Sequence, residues 1–153
     1  MNLPQDLIAG DILLYATKDL VDDVIEWKTS ADVAHVELYV GDGKSWASRN
    51  AIGVNAYDFR SQGLIRARRP KVAFNLAKAQ PWFDSKEKGQ PYGFGDILEN
   101  AGVDVAMKGE DCSHFVKDAM EQGDAPQFDP SFSGPKTTPR DFETSFQSVQ
   151  IYP

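Results

Sequence analysis

The sequence predicts an α+β fold in which an antiparallel β-sheet packs against helices. Residues 33–49 contain two alternating segments joined by Gly-Asp-Gly, a pattern typical of a β-hairpin and therefore of antiparallel neighbours. Further strand segments flank this hairpin, and most helical patterns follow the strands instead of separating them. The chain of 153 residues has the length of one domain, which we assign to residues 1–153.

Strands and helices are both predicted before residue 90. The sequence DILLY at 11–15 predicts a short buried strand after the Gly10 turn, and 18–28 has the apolar spacing of a helix. After the hairpin, LIRARR at 64–69 alternates again and predicts another strand. Residues 72–89 have helical spacing but contain Pro81, so we expect a helix that kinks or restarts there.

The segment 112–122 predicts an amphipathic helix with Cys112 in its first turn. Its apolar residues recur at helical spacing, and Gly123 is placed to end it; these residues are Phe115, Val116, Ala119 and Met120.

Three shorter predictions complete the chain. FGDILENAG at 94–102 predicts one or two helical turns, and the Pro/Ser/Gly-rich stretch 124–139 predicts a long surface loop. Thr138 as N-cap and Pro139 as first residue predict a short helix, which a last strand SVQIY follows.

Composition and charge exclude several classes of partner. The net charge of −7 repels nucleic acid and argues against an anionic lipid surface, and no apolar run is long enough to span a membrane. The start of the chain shows no secretory signal, so we expect a cytoplasmic protein or one that is phage-encoded and delivered. The basic cluster RARR at 66–69 has two interpretations: a solvated strand face or an anion-binding patch beside a cleft.

Cys112, the single cysteine, is a core residue or a nucleophile. Free cysteine is commonly buried, but the polar flank EDCSH favours a nucleophile. At a helix start the unpaired N–H groups favour the thiolate and can stabilise an oxyanion. A thiol nucleophile also needs a base, and the chain has two histidines. His114 follows two residues later on the helix and would point away, whereas His35 lies on the first hairpin strand.

Several segments together resemble a known family. In order they are GDILLY, AHVELYVGDGKSWAS, GQPYGFGDIL, EDCSHFV and TPRDF, and they resemble the permuted NlpC/P60 group of papain-like proteins. That group includes the YiiX-like proteins and, more distantly, the lecithin retinol acyltransferase and H-Rev107-like acyltransferases. The resemblance implies a papain-like fold with Cys112 as nucleophile and His35 as general base.

The third member of the site departs from that family pattern. Relatives carry a small residue two places after the histidine and a His or Glu where Ala47 stands, but this chain has Glu37 at the first position. With a three-residue hairpin loop, partners have numbers that add to 84, so Glu37 faces Ala47 and can reach His35. The alternative is an exposed Glu37 and a degenerate site. A two-residue loop would instead bring Asn50 opposite His35.

The resemblance also suggests contacts for the substrate or the oxyanion. Tyr92 resembles a tyrosine that precedes the cysteine in related enzymes, and Ser113 is a further candidate. No CxxC or HExxH spacing is present, so we predict no metal and no cofactor.

We therefore expect a cysteine hydrolase that cleaves an amide bond through a thioester. The resemblance points to cell-wall peptides or related amides, bound in a cleft. One alternative is a lipid acyltransferase or thioesterase of the same fold, which would take an ester substrate. The other is a catalytically inactive binding module that keeps the cleft.

Overall fold

A computed structural model describes residues 6–16, 33–49, 52–89, 105–129, 131–132 and 137–153. Within these residues six strands form one antiparallel sheet in the order β4-β3-β2-β1-β5-β6. The strands are β1 (Ile12–Ala16), β2 (Val33–Gly41), β3 (Lys44–Arg49), β4 (Gly53–Asp58), β5 (Leu64–Pro70) and β6 (Ser148–Tyr152). The α-helices of the same residues are α1 (Leu76–Trp82), α2 (Val105–Gln122) and α3 (Pro139–Thr144).

The predicted α+β class with an antiparallel sheet is confirmed. The first strand, the hairpin, the strand over 64–69 and the last strand all form where the alternation predicts them. Strand β4 was not predicted, because its sequence GVNAYD mixes small and polar residues and has no long apolar alternation. The helix predicted over 18–28 and the turns predicted over 94–102 lie outside the described residues.

The hairpin has the predicted register but a different turn. Leu38 pairs with Trp46, so partner numbers add to 84 as expected. At the turn, however, Gly41 pairs with Lys44, which leaves Asp42 and Gly43 as the two loop residues. Both have positive φ (51° and 69°), as a tight primed turn requires. A shift in register between Tyr39 and Gly41 then restores the predicted pairing.

Helix α1 changes geometry at its proline. The Oδ1 atom of Asn75 accepts a hydrogen bond of 3.0 Å from the backbone N–H of Lys78 and caps the helix start. Pro81 lies in the last turn of α1, and the chain continues as a wider π-helical turn, Phe83–Glu87. The predicted disruption at Pro81 is therefore confirmed as a change from α- to π-helical geometry.

The two faces of the sheet bury different side chains. Val36 and Leu38 of β2 pack with the helices in the main core, where the rings of Trp46 and Phe83 stack 4.1 Å apart. A second buried cluster on the opposite face comprises Leu13, Tyr15, Tyr39, Leu64 and Ala67. Because side chains alternate along β2, its odd-numbered residues from His35 onward share a face with this second cluster.

Helix α2 begins at Val105, seven residues before Cys112. The prediction that Cys112 lies in the first turn is therefore wrong. The polar sequence GED before Cys112 resembled a helix start, but an interior glycine costs a helix only about 1 kcal/mol, and the helix continues through it. The predicted apolar face is confirmed, since Phe115, Val116, Ala119 and Met120 are all buried.

Gly123 directly follows α2, and its lack of a side chain has a packing reason. The left-handed residue of the cap is Asp124 (φ 61°), and the N–H of Ala125 donates to the carbonyl of Met120. A Cβ on Gly123 would lie 2.1 Å from the ring of Phe74. The missing side chain of Gly123 thus makes room for this ring, which also packs against Gly10.

The short helix α3 starts as predicted. Thr138 and Asp141 form a reciprocal capping box, and Pro139 is the first helical residue. The segment before it is more than a surface loop, because Ala125 and Gln127 are buried. Among the described residues, no helix is both long enough and apolar enough to cross a lipid bilayer.

Candidate functional site

His35 lies beside an irregularity in β2. Tyr15 of β1 pairs with His35, but the next residue, Ala16, pairs with Val33, so Ala34 is an extra residue in β2. Val33 packs in the helix-side core, whereas the His35 ring lies 5.9 Å from the Tyr15 ring of the opposite cluster. The bulge interrupts the alternation of β2 and directs His35 to the boundary between the two faces.

Cys112 meets His35 from helix α2. A side-chain hydrogen bond joins the thiol to the imidazole, although the two residues are 77 positions apart in sequence. Cys112 is fully buried and belongs to the helix-side core, whereas 19% of the His35 side chain is exposed. The structure therefore brings together the thiol and the histidine that the sequence predicted.

Glu37 holds the other side of the His35 ring. Its Oε1 atom lies 2.9 Å from Nε2 of His35, and the carboxylate is fully buried. Arg49 donates two hydrogen bonds to the same carboxylate, from Nε to Oε1 at 2.8 Å and from Nη2 to Oε2 at 3.1 Å. A guanidinium nitrogen of Arg60 lies 3.8 Å from Oε1. Glu37 is thus not the exposed strand residue of the alternative interpretation.

The charges at the site support one another. Burial opposes the charged form of His35, but its interactions with Cys112 and Glu37 outweigh burial and raise the pKa of His35 to about 9. Burial likewise opposes the carboxylate, yet the hydrogen bonds from His35 and Arg49 lower the pKa of Glu37 to about 2. The arrangement therefore makes His35 more basic and keeps Glu37 charged.

Two tyrosines support the arginines. The guanidinium of Arg60 lies over the Tyr15 ring, 4.9 Å from its centre, and that of Arg49 lies 4.1 Å from the centre of the Tyr57 ring. The Tyr15 hydroxyl donates to the backbone carbonyl of Arg60 at 3.0 Å, and burial raises the pKa of Tyr15. The rings limit the positions that each guanidinium can take.

The other predicted site residues lie elsewhere or outside the described residues. Ser113 is buried, and its hydroxyl donates to the carbonyl of Thr137 at 2.7 Å. The His114 ring lies 3.3 Å from Asp118 on the same helix. Asn50 and Tyr92 fall outside the described residues, and the observed register is the one predicted to bring Glu37, and not Asn50, towards His35.

Arg49 and Arg60 were missed in the sequence. The predicted register, in which partner numbers add to 84, also sets Arg49 opposite His35, so the same pattern contained the signal for Arg49. Arg60 follows β4 in the segment FRSQG, where nothing in the local sequence indicates a partner on β2.

The arginines of the basic cluster at 66–69 bind other groups of the same chain. Arg69 holds the buried carboxylate of Asp11 through two hydrogen bonds of 2.8 and 2.7 Å. Arg68 donates to the Ser148 hydroxyl, and Arg66 forms an ion pair of 2.5 Å with Glu143. These contacts join β5 to neighbouring elements. The three arginines therefore bind groups of the protein itself, which neither of the two interpretations from the sequence had expected.

Comparisons with known proteins add no family to this picture. No protein-family model, no curated protein and no solved structure matches the chain. Among the described residues, no group of three or more His, Cys, Asp and Glu side chains is arranged to hold a metal ion.

Proposed function

We propose that the chain is a cysteine hydrolase of papain-like type, with Cys112 as nucleophile, His35 as general base and Glu37 as the residue that orients the base. This is the activity that the resemblance to the permuted NlpC/P60 group implies. An amide is the favoured substrate class, since the net charge of −7 disfavours an anionic lipid surface. Lipid esters, the substrate of the related acyltransferases, are the second class.

One observation carries this proposal: His35 is held between a thiol and a fixed carboxylate. Nε2 faces Glu37, which leaves Nδ1 as the ring nitrogen available to the thiol of Cys112. A carboxylate on one ring nitrogen fixes the tautomer that accepts a proton on the other. The relation between nucleophile, base and orienting group is the one that cysteine hydrolases use.

The proposed reaction proceeds through a thioester. His35 takes the proton of Cys112, and the sulfur attacks the substrate carbonyl to form a C–S bond. His35 then returns the proton to the leaving nitrogen or oxygen, whose bond to the carbonyl carbon breaks. Water attacks the thioester while His35 accepts its proton, which releases the acid and restores the thiol.

The source of oxyanion stabilisation differs from the sequence-based expectation. Because Cys112 lies inside α2, its backbone N–H is not one of the four unpaired groups at the start of that helix. The proposal therefore assigns no oxyanion role to a helix N-terminus. The bidentate contact between Arg49 and Glu37 has a different role, because it holds the carboxylate that orients the general base, His35.

A binding module without catalysis is the second candidate, and the burial of Cys112 favours it. The sulfur is fully buried in the core, so a substrate carbonyl reaches it only if neighbouring side chains move aside. The two functions differ in a measurable property, because only the hydrolase transfers an acyl group to Cys112.

Acylation by p-nitrophenyl acetate tests the proposal. We expect release of one nitrophenolate per chain before slower turnover, and an acetyl group on the Cys112 peptide by mass spectrometry. Cys112→Ala should abolish this burst, and His35→Gln should slow it by at least about a hundredfold. His114→Gln is the matched control and should keep the wild-type rate. A burst that persists in Cys112→Ala would overturn the proposal, and no burst in the wild type would favour the binding module.

A further inference from the structure

Tyr57 contacts Arg49 although the register of the sheet pairs it with another residue. Strand β4 pairs Tyr57 with Ser45 and Gly53 with Arg49, so Tyr57 is four residues along its strand from the partner of Arg49. The Arg49 guanidinium nevertheless lies 4.1 Å from the centre of the Tyr57 ring. The side chain of Tyr57 therefore extends along β4 towards Gly53 instead of standing over Ser45.

The hydroxyl group of Tyr57 accounts for this direction. It donates a hydrogen bond to the backbone carbonyl of Gly53, four residues earlier on the same strand. Gly53 is buried and lies directly opposite Arg49 on β3. The hydrogen bond thus fixes the far end of the ring beside the cross-strand partner of Arg49, which is where the ring meets the guanidinium group.

From Arg49 the contacts continue to the thiol. Nε and Nη2 of Arg49 donate to the two carboxylate oxygens of Glu37, at 2.8 and 3.1 Å. Oε1 of Glu37 lies 2.9 Å from Nε2 of His35, and a side-chain hydrogen bond joins His35 to Cys112. Each contact orients the next group, so the position of the Tyr57 ring affects the orientation of the imidazole.

We infer that Tyr57 is a positioning residue of the proposed reaction, because its ring holds Arg49 in the orientation that donates both hydrogen bonds to Glu37. The inference rests on the proposed function, since the base that is positioned is the base of that reaction. An aromatic face attracts a guanidinium group and limits the rotamers it can take. The Arg49 side chain is 19% exposed, so without the ring it gains rotamers in which it no longer donates two hydrogen bonds to Glu37.

Acylation by p-nitrophenyl acetate, measured over a range of ester concentrations, tests this inference. Tyr57→Leu removes the ring and should lower the maximal acylation rate about fivefold, as expected for the loss of one partly exposed cation–π contact. Tyr57→Phe keeps the ring but loses the hydrogen bond to Gly53, and should lower the rate about twofold. The ester concentration that gives half of the maximal rate should not change, because the contacts of Tyr57 lead to the base and not to the ester.

Two controls separate positioning from a general loss of structure. Tyr152→Leu removes a half-buried tyrosine from β6, at the other edge of the sheet that the described residues form, and should keep the wild-type rate. In an Arg49→Lys background the bidentate donors that Tyr57 orients are gone, so Tyr57→Leu should slow acylation there by less than about twofold. Tyr57→Phe, which keeps the ring, tests the inference even if Tyr57→Leu does not fold.

Three results would overturn the inference. If the wild type is acylated on Cys112 and both Tyr57 variants keep its maximal rate, the positioning role is refuted and the proposed function stands. An equal loss from Tyr57→Leu with and without Arg49→Lys would show a purely structural role, and again the proposed function would stand. If the wild type is not acylated, the proposed function fails and this inference fails with it.

Discussion

Glu37→Gln should make the protein less stable at neutral pH but less sensitive to acid. The amide keeps the size of the side chain but removes the charge that Arg49 and His35 hold. The pKa of Glu37 is lowered from 4.5 to about 2, so the unfolded chain binds this proton more readily than the folded one. Its contribution to stability is therefore complete above about pH 4.5 and is lost as the pH falls towards about 2.

The size of this contribution follows from the same values. One pKa unit corresponds to about 1.4 kcal/mol, so the interval between 4.5 and about 2 corresponds to about 3 kcal/mol. Because Glu37 is fully buried, solvent screens the interactions of its charge with Arg49 and His35 only a little. We expect Glu37→Gln to lower the free energy of unfolding by about 3 kcal/mol at pH 7 and by much less near pH 2.5.

Urea unfolding at several pH values, followed by tryptophan fluorescence, measures this difference. Asp58→Asn is the control, because Asp58 is exposed and pairs with Lys44 at the surface; this substitution should change stability little at any pH. A difference between the wild type and Glu37→Gln that stays constant from pH 7 to pH 2.5 would refute the reasoning.

Three further substitutions probe other parts of the structure. Gly123→Ala places a Cβ against Phe74 and should lower the free energy of unfolding in urea by about 1–3 kcal/mol. The loss should be smaller in a Phe74→Ala background, and an equal loss there would contradict the packing argument. Asp11→Ala leaves Arg69 without its buried carboxylate and should lower the free energy of unfolding by about 3 kcal/mol, with an effect below about 1 kcal/mol as the contrary result. Arg49→Lys keeps the positive charge but loses the bidentate hydrogen bonds to Glu37. It should therefore slow alkylation of Cys112 by iodoacetamide, and an unchanged rate would argue against a role of Arg49 in positioning Glu37.

The sheet could largely be predicted because its signals are local. Alternation along VAHVELYV and KSWASR identified both hairpin strands, and the predicted register, in which partner numbers add to 84, is the one observed at Leu38 and Trp46. The turn itself differed, since Gly41 joined the strand and the irregularity before it restored the register. Strand β4 escaped prediction because its pairing with β3, and not its own pattern, makes it a strand.

The start of α2 could not be placed from the sequence, because polar residues and a glycine are compatible with a helix interior as well as with a cap. That error affected the chemistry, since it led to an oxyanion role for a helix end that lies seven residues away from Cys112.

Long-range polar contacts were the least predictable part of the site. The partners of Arg68 and Arg69 are 80 and 58 residues away, and no local pattern specifies them. The contact between Arg60 and Glu37 could not be predicted either, because it depends on how the segment after β4 lies against the sheet. The sequence could therefore nominate Cys112, His35 and Glu37, but not the cations that hold the carboxylate.

Alkylation of Cys112 by iodoacetamide across pH tests the central claim most directly, that His35 activates the thiol. The wild type should react readily near pH 6, because His35 interacts with the thiol and can accept its proton. His35→Ala should slow the reaction at that pH by at least about tenfold, while His114→Ala should not change it. A wild-type rate that rises with pH as for an ordinary thiol and stays the same in His35→Ala would contradict the account.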